Sequence, residues 1–172
     1  MTGLDPTTNS ILQISCFITD YRLNIIDNEG WGAIIQHDKS ALDAMDEWCT
    51  ATHRSTGLTA AVLASSTTAE QAADGLLEYI KKHVLKPRTA LLAGNSVHAD
   101  KAFLAYAPYD KVLKYLHYRI FDVSSIKEAA RRWASEDVLQ KIPRKKGLHE
   151  AREDILESIK EAKFYQTHFF QD

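Results

Sequence analysis

The sequence has little cysteine and no long apolar run. Its 172 residues include only two cysteines, Cys16 and Cys49, which are too few for a disulfide framework or a four-ligand zinc site. Because both lie in apolar stretches, we interpret them as buried, reduced thiols. No apolar run approaches the about 20 residues that cross a bilayer. The first residues have neither the basic nor the apolar region of a signal peptide.

An excess of one charge is also missing. Lys and Arg number 21 and Asp and Glu number 23, so the formal net charge is −2 at pH 7. Such a chain is not held to nucleic acid by its overall charge, and any phosphate site must be local. Glycine-rich phosphate loops and Gly-x-Ser-x-Gly turns are absent from the sequence. The length and an apolar content of 45% predict one globular domain over residues 1–172.

Short apolar segments predict the strands. Segments 11–19, 23–26 and 33–36 are joined by short turns, which favours an antiparallel meander. Two further strands are predicted at 90–93 and 119–123, between segments with helical spacing. A meander followed by alternating strands and helices predicts one mixed α/β sheet with helices on its faces.

Polar residues mark the predicted helix starts. Ser40 is a candidate N-cap before a segment with apolar residues at helical spacing. Thr67-x-x-Glu70 and Ser125-x-x-Glu128 have the pattern of capping boxes, in which two side chains satisfy free backbone N–H groups. A last helix is predicted to end the chain.

Two acids and a histidine are candidates for chemistry. Asp100 follows an apolar strand, where α/β proteins place ligand groups, although a turn with a helix-capping acid explains it equally. His149 and Asp154 are about 140° apart on an ideal helix, so they converge only if His149 lies on the incoming loop. The alternative is a charged helix start. Together these residues suggest metal chemistry on a phosphate, for which two carboxylates are few.

Other side chains suit a nucleotide ligand, and each has a structural alternative. Arg119 and the hydroxyl groups at 124–125 could bind a phosphate, or form an ordinary salt bridge and a helix cap. Trp48 could stack on a base, but its helical spacing with Met45 also suits a core position. The basic segment 144–146 could attract a phosphate or be a solvated loop.

Ten segments along nearly the whole chain resemble one family. They are residues 1–5, 18–20, 42–48, 56–59, 92–97, 116–119, 122–125, 127–128, 131–133 and 149–154. In these segments and in their order the chain resembles the oligoribonucleases, which are short-RNA exonucleases of the DEDDh 3′–5′ group with a ribonuclease H-like fold. The resemblance implies an α/β mixed sheet with flanking helices.

The resemblance also implies the catalytic residues. It places the third metal-binding acid on Asp100, the fourth on Asp154 and the proton-accepting histidine on His149. The family site holds two divalent ions, for which Mg²⁺ and Mn²⁺ both suit oxygen ligands. The implied reaction releases nucleoside 5′-monophosphates from the 3′ end of very short RNA, dinucleotides above all.

Further residues take their roles from the resemblance alone. Leu4 matches an apolar wedge against the bases, and Trp48 lines the base pocket. The groups that cap the 5′ phosphate of the substrate are Ser96, Arg119 and Ser124. Tyr118 matches a residue supplied by the partner subunit, which implies a homodimer. Relatives work in the cytosol and in mitochondria, so either compartment is expected, without a membrane.

The first two acids of the family form an Asp-x-Glu whose Glu would stand immediately before Met1. We therefore expect the sheet to lack its first strand, and the activity of residues 1–172 to be abolished or impaired. The alternative, from another functional class, is a catalytically inactive homologue that binds short RNA or a protein partner.

The genomic sequence upstream of Met1 tests these expectations. We expect an in-frame Asp-x-Glu within a strand-like apolar segment, because the catalytic set requires it. An upstream reading frame without this motif would contradict the expectation and favour the inactive homologue.

Overall fold

Two pairs of short strands lie among nine helices in the part of the chain that the computed structural model describes, residues 1–144, Gly147 and 150–170. The strands are β1 (Gln13–Cys16), β2 (Trp31–Ile34), β3 (Leu92–Gly94) and β4 (Ile120–Asp122). The helices are α1 (Lys39–Asp43), α2 (Glu47–Ser55), α3 (Leu58–Ala64), α4 (Ala69–His83), α5 (Val97–Leu104), α6 (Asp110–Tyr115), α7 (Val123–Trp133), α8 (Glu136–Leu139) and α9 (Ala151–Phe169).

The two strand pairs have opposite senses. β1 and β2 are antiparallel, with Gln13 opposite Ile34, whereas β3 and β4 are parallel, with Gly94 opposite Asp122. Among the described residues no strand ladder joins the two pairs. Ile14 of β1 and Leu92 of β3 nevertheless pack against the same apolar core. The antiparallel and parallel pairs between helices confirm the predicted mixed α/β fold.

The predicted strand at 23–26 is wrong. In its place the chain makes a turn that forms one isolated bridge, between Thr19 and Ile25. The turn is held by the Asp20 carboxylate, which accepts from the backbone N–H groups of Arg22 and Asn24, both at 2.8 Å. Such local hydrogen bonds compete with a strand ladder. The next strand, β2, begins at Trp31 rather than at 33.

Three predicted helix starts are displaced, and one helix start was not predicted. The cap of α1 is Asp38 rather than Ser40. A second acid, Asp46, accepts from the N–H of Cys49 at 2.6 Å and begins α2, so the predicted helix is broken in two. The capping box of α4 is Thr68 with Gln71, one residue later than predicted, and α7 is capped by Asp122 instead of Ser125.

Buried apolar side chains form four clusters in the described part of the chain, including one against α4 and one against α9. The first lies between α4 and the strands and comprises Ile11, Ile35, Ala72, Ala73, Phe103, Leu104 and Tyr109. The second lies between α7 and α9 and comprises Val123, Ala130, Ala162 and Tyr165. Burial of these side chains removes apolar surface from water, the main favourable term in folding. In the described part of the chain, no helix combines the length and the apolar character that a membrane crossing needs.

The last helix is fixed to the β1–β2 turn at its first residues. Arg152 of α9 donates to the carbonyl oxygens of Asn28, at 2.8 Å, and of Glu29. Its guanidinium also lies 4.6 Å from the centre of the Phe17 ring, a cation–π distance. Helix α9 then continues past β1 and β3 and packs on α7.

Gly30 is required at the turn before β2. Its φ is +65°, and a Cβ there would lie 2.9 Å from the carbonyl oxygen of Cys16 and 2.8 Å from the Phe17 ring. We expect Gly30→Ala to lower the free energy of unfolding by about 2–4 kcal/mol, as backbone strain adds to overpacking. Gly57→Ala is the matched control, since its φ is +76° and nothing lies within 4 Å of the added Cβ. Urea denaturation measures both, and equal losses would contradict the steric contribution.

Candidate active site

One carboxylate joins the ends of β3 and β4. Asp122 Oδ1 accepts from the backbone N–H groups of Ser96 and Ser124, both at 2.9 Å, and its side chain is only 11% exposed. His98 Nδ1 lies 3.4 Å from the other oxygen of Asp122. Because the two strands are parallel, both chains leave the sheet at the same edge, where α/β proteins bind ligands.

Two of the predicted phosphate-binding residues, Ser96 and Ser124, meet at this edge. The hydroxyl oxygens of Ser96 and Ser124 are 3.3 Å apart, and the N–H of Ser96 donates to Ser124 Oγ at 3.0 Å. Ser96 has a left-handed backbone conformation, with φ 53°. Such a conformation is uncommon for serine and is held here by the two acceptors of its N–H group. The structure therefore brings Ser96 and Ser124 together as predicted.

Asp100 lies next to this edge, in the first turn of α5. Its carboxylate is half-buried, and burial raises the pKa of Asp100 above its ordinary value. No side chain in the described part of the chain donates a hydrogen bond to it. A half-buried carboxylate without such a donor has the character of a ligand for a hard cation, which prefers oxygen.

The other two catalytic candidates are placed only in part. Asp154 lies in the first turn of α9, and both α5 and α9 contact β3. His149 lies outside the described residues. Within those residues, no three His, Cys, Asp or Glu side chains are close enough together to hold a metal ion.

Arg119 and Tyr118 lie before β4, whereas Ser96 and Ser124 lie beyond its other end. The Arg119 guanidinium stacks over the Tyr118 ring at 4.6 Å, and Tyr118 is 68% exposed. A strand of three residues, about 10 Å long at 3.3 Å per residue, separates Arg119 from the serines. The structure therefore does not bring Arg119 into contact with Ser96 or Ser124. Lys101 of α5 donates to the carbonyl of Tyr118 at 2.8 Å and links this segment to the helix of Asp100.

The two predicted base contacts are exposed on neighbouring segments. Leu4 is 83% exposed and Trp48 on α2 is 61% exposed, so Trp48 is not a core residue. The segment of Leu4 is tied down on both sides, because Thr2 and Ser10 exchange hydrogen bonds of 2.9 Å. His53 of α2 contacts the carbonyl oxygen of Met1 at 2.9 Å and joins the two segments. Both apolar side chains thus face solvent from fixed backbone.

Sequence reasoning gave no role to two residues behind the serines. Glu161 of α9 is 1% exposed, and Asn95 connects it to Ser124. A signal for Glu161 does exist, because it falls on the apolar face of α9 with Ser158, Ala162 and Tyr165. A charged residue at a core position is almost never fully buried unless it is paired. Its partners come from other elements, which spacing along one helix does not reveal.

A family model described as "Exonuclease" matches residues 1–162 of the chain. The chain is 45% identical to "Oligoribonuclease, mitochondrial" of Bos taurus over 172 residues, which cover 99% of this chain and 70% of the relative. It is 44% identical to "Oligoribonuclease" of Marinobacter nauticus, with 99% and 92% covered. The chain belongs to the oligoribonucleases. This confirms the resemblance seen in the sequence.

Membership of this family makes the chain a 3′–5′ exoribonuclease by class. Exonucleases of this kind generally use divalent metal ions. The character of Asp100 fits such an ion, since it offers a half-buried oxygen ligand at the sheet edge where Ser96 and Ser124 offer donors.

We expect Asp100→Asn to stabilise the protein at pH 7 in the absence of divalent ions. Since burial raises the pKa of Asp100 in the folded state, the folded protein binds this proton more tightly than the unfolded chain does. Stability is thus lost as pH rises from the ordinary aspartate pKa, about 3.9, through the raised value. The asparagine variant has no carboxyl group to ionise, so its stability does not fall in this pH range.

Thermal unfolding in EDTA at pH 3.5–7 measures the effect. The advantage of the variant should be present at pH 7 and should shrink toward pH 3.5. A variant that is less stable than the unmodified protein at pH 7 would contradict the prediction.

Proposed function

We propose that this chain hydrolyses very short RNA, dinucleotides above all, from the 3′ end to nucleoside 5′-monophosphates. The observation that supports this most directly is the pair of hydroxyl groups 3.3 Å apart at the sheet edge, next to the helix of Asp100. Hydroxyl donors beside a carboxylate ligand suit a substrate with a terminal phosphate and a scissile phosphodiester. The overall charge of −2 suits a substrate with few phosphates.

The catalytic roles in this proposal belong to three residues. Asp100 and Asp154 hold divalent ions, Mg²⁺ or Mn²⁺, and the complete family site has two. Bound ions would supply Lewis-acid stabilisation of the charge on the phosphate. His149 accepts a proton from the attacking water, whose oxygen bonds to phosphorus while the bond to the 3′ oxygen breaks.

The binding roles follow the exposure of the side chains. Leu4 and Trp48 offer apolar surface to the bases, which stack well on aromatic groups. Ser96 and Ser124 donate to the 5′ phosphate. The Arg119 guanidinium lies over the Tyr118 ring. Arg119 completes this cap only if its side chain instead extends along β4.

We also propose a homodimer, in which Tyr118 reaches the site of the partner subunit. Its ring is 68% exposed and is supported by His117 on one side, with a centroid distance of 4.6 Å. Such a pre-ordered aromatic group loses little freedom when a partner covers it. The proposed location is the cytosol or the mitochondrion, because the relatives include proteins named as mitochondrial.

The second candidate function is binding of short RNA without turnover. It is favoured by one observation, namely that no three metal-binding side chains come together within residues 1–144, 147 and 150–170. A homologue of this kind would keep the serine pair and the apolar surface while lacking a full metal site. The two candidates differ in their need for a metal ion.

Titration with a 5′-phosphorylated dinucleotide, with and without Mg²⁺, separates the two functions. We expect Mg²⁺-dependent release of mononucleotides at an impaired rate, as the sequence predicts, and chromatography measures it. His149→Ala should slow it by about 100- to 10,000-fold, the usual contribution of a general base. His168→Ala is the matched control, since His168 is exposed and contacts its own helix at Phe164. Tight metal-independent binding without products would support the binding-only homologue and contradict hydrolysis.

A further inference from the structure

Glu161 is a buried carboxylate with partners on three sides. Lys127 of α7 lies 3.1 Å from Oε1, the Tyr165 hydroxyl donates to the same oxygen at 2.9 Å, and Asn95 Nδ2 donates to Oε2 at 3.2 Å. Burial alone would raise the pKa of Glu161, but the hydrogen bonds from Lys127 and Tyr165 outweigh it and hold the pKa below its usual value. Glu161 is therefore an ionised acceptor at neutral pH.

This acceptor fixes the orientation of the Asn95 amide. A carboxylate can only accept, so the Asn95 atom that faces it must be the NH₂ group. The same nitrogen is 3.3 Å from Ser124 Oγ and has a second hydrogen for it. If the amide were reversed, Asn95 would present an oxygen to Ser124 and bind its hydroxyl proton.

The orientation of Asn95 in turn decides what Ser124 can do. Ser124 Oγ accepts from Asn95 Nδ2 and from the N–H of Ser96. A hydroxyl oxygen has two acceptor sites and one proton, so Ser124 can then act only as a donor. The proton of Ser124 then faces the exposed hydroxyl oxygen of Ser96, 3.3 Å away, where a ligand oxygen would compete for it.

The backbone N–H groups of the two serines do not provide this donor. The N–H groups of Ser96 and Ser124 are both bound to Asp122 Oδ1. Asp122 also brings a negative charge to the edge, which opposes an anion. Recognition of a phosphate by Ser96 and Ser124 therefore depends on their hydroxyl groups, and on whether these hydroxyl groups are oriented to donate.

We propose that Glu161 and Asn95 are positioning residues that make Ser124 a dedicated hydrogen-bond donor to the 5′ phosphate of the substrate. This inference rests on the proposed function, because it takes the 5′ phosphate as the ligand of Ser124. It adds a structural reason for a buried ionised residue on α9, outside the catalytic set. It also makes the phosphate preference depend on an amide that does not touch the substrate.

The test compares the dissociation constants of a 5′-phosphorylated dinucleotide and its 5′-hydroxyl counterpart, by calorimetry in EDTA. The unmodified chain should prefer the phosphorylated ligand. Asn95→Ala and Ser124→Ala should each lower this preference about tenfold, the effect of one hydrogen bond to a charged group. The double variant should lose no more than either single variant, because both act on one interaction.

Tyr165→Phe is the control, since it removes one hydrogen bond to Glu161 and leaves the hydrogen bond from Asn95 to Glu161 in place. It should keep the preference within about twofold, whatever it does to stability. A purely structural role of Asn95 would weaken both ligands equally and leave their ratio unchanged, which would overturn the proposal. Additive losses in the double variant would also overturn it.

Failure of a variant to fold and failure of the unmodified chain to bind are separate outcomes. If circular dichroism shows that Asn95→Ala does not fold, Glu161→Gln replaces it, because a neutral amide no longer fixes the Asn95 orientation. An unchanged preference in that variant would overturn the proposal. If the unmodified chain binds neither dinucleotide, with or without Mg²⁺, and releases no mononucleotides, the proposed function itself is wrong, whereas an intact preference in Asn95→Ala with normal hydrolysis contradicts only the positioning role.

Discussion

The site depends on the pairing of β3 with β4 and on the carboxylate that closes it. Two strands of three residues each provide few ladder hydrogen bonds, so the geometry beyond their ends needs another constraint. Asp122 supplies it by accepting from one N–H group on each chain. That arrangement places the turn before α5 against the first turn of α7. The direction of α5, and with it the position of Asp100, follows from this contact.

Local patterns predicted the types of element better than their limits. The apolar segments located β1, β2, β3 and β4, but the pairing of β1 directly with β2 was not predicted, because the expected meander placed a strand at 23–26 between them. Helix starts were displaced because several acids and hydroxyls compete to cap each helix, and spacing alone does not decide among Asp38, Ser40 and Asp46. The turn at 20–25 was missed because a single aspartate side chain replaced a strand ladder.

The contacts within the site were also only partly predictable from the sequence. The grouping of Ser96 with Ser124 came from the family resemblance, and the parallel pairing of β3 with β4 explains it. The separation of Arg119 from Ser124 also follows from the predicted strand at 119–123, because Arg119 begins that strand and Ser124 follows it, but the resemblance had grouped them at one phosphate. Glu161 and Asn95 are 66 residues apart. Their contact arises from the packing of α9, and periodicity within either segment contains no information about it.

The buried carboxylate on α9 has a thermodynamic consequence. If the order of Ser124 depends on Glu161, a phosphate that gains affinity from that order must strengthen the packing of α9 by the same free energy. Binding at the sheet edge would then be transmitted to the helix that carries Asp154, more than a turn away along the same axis. Occupancy of the phosphate site and the stability of α9 would then be coupled in one equilibrium.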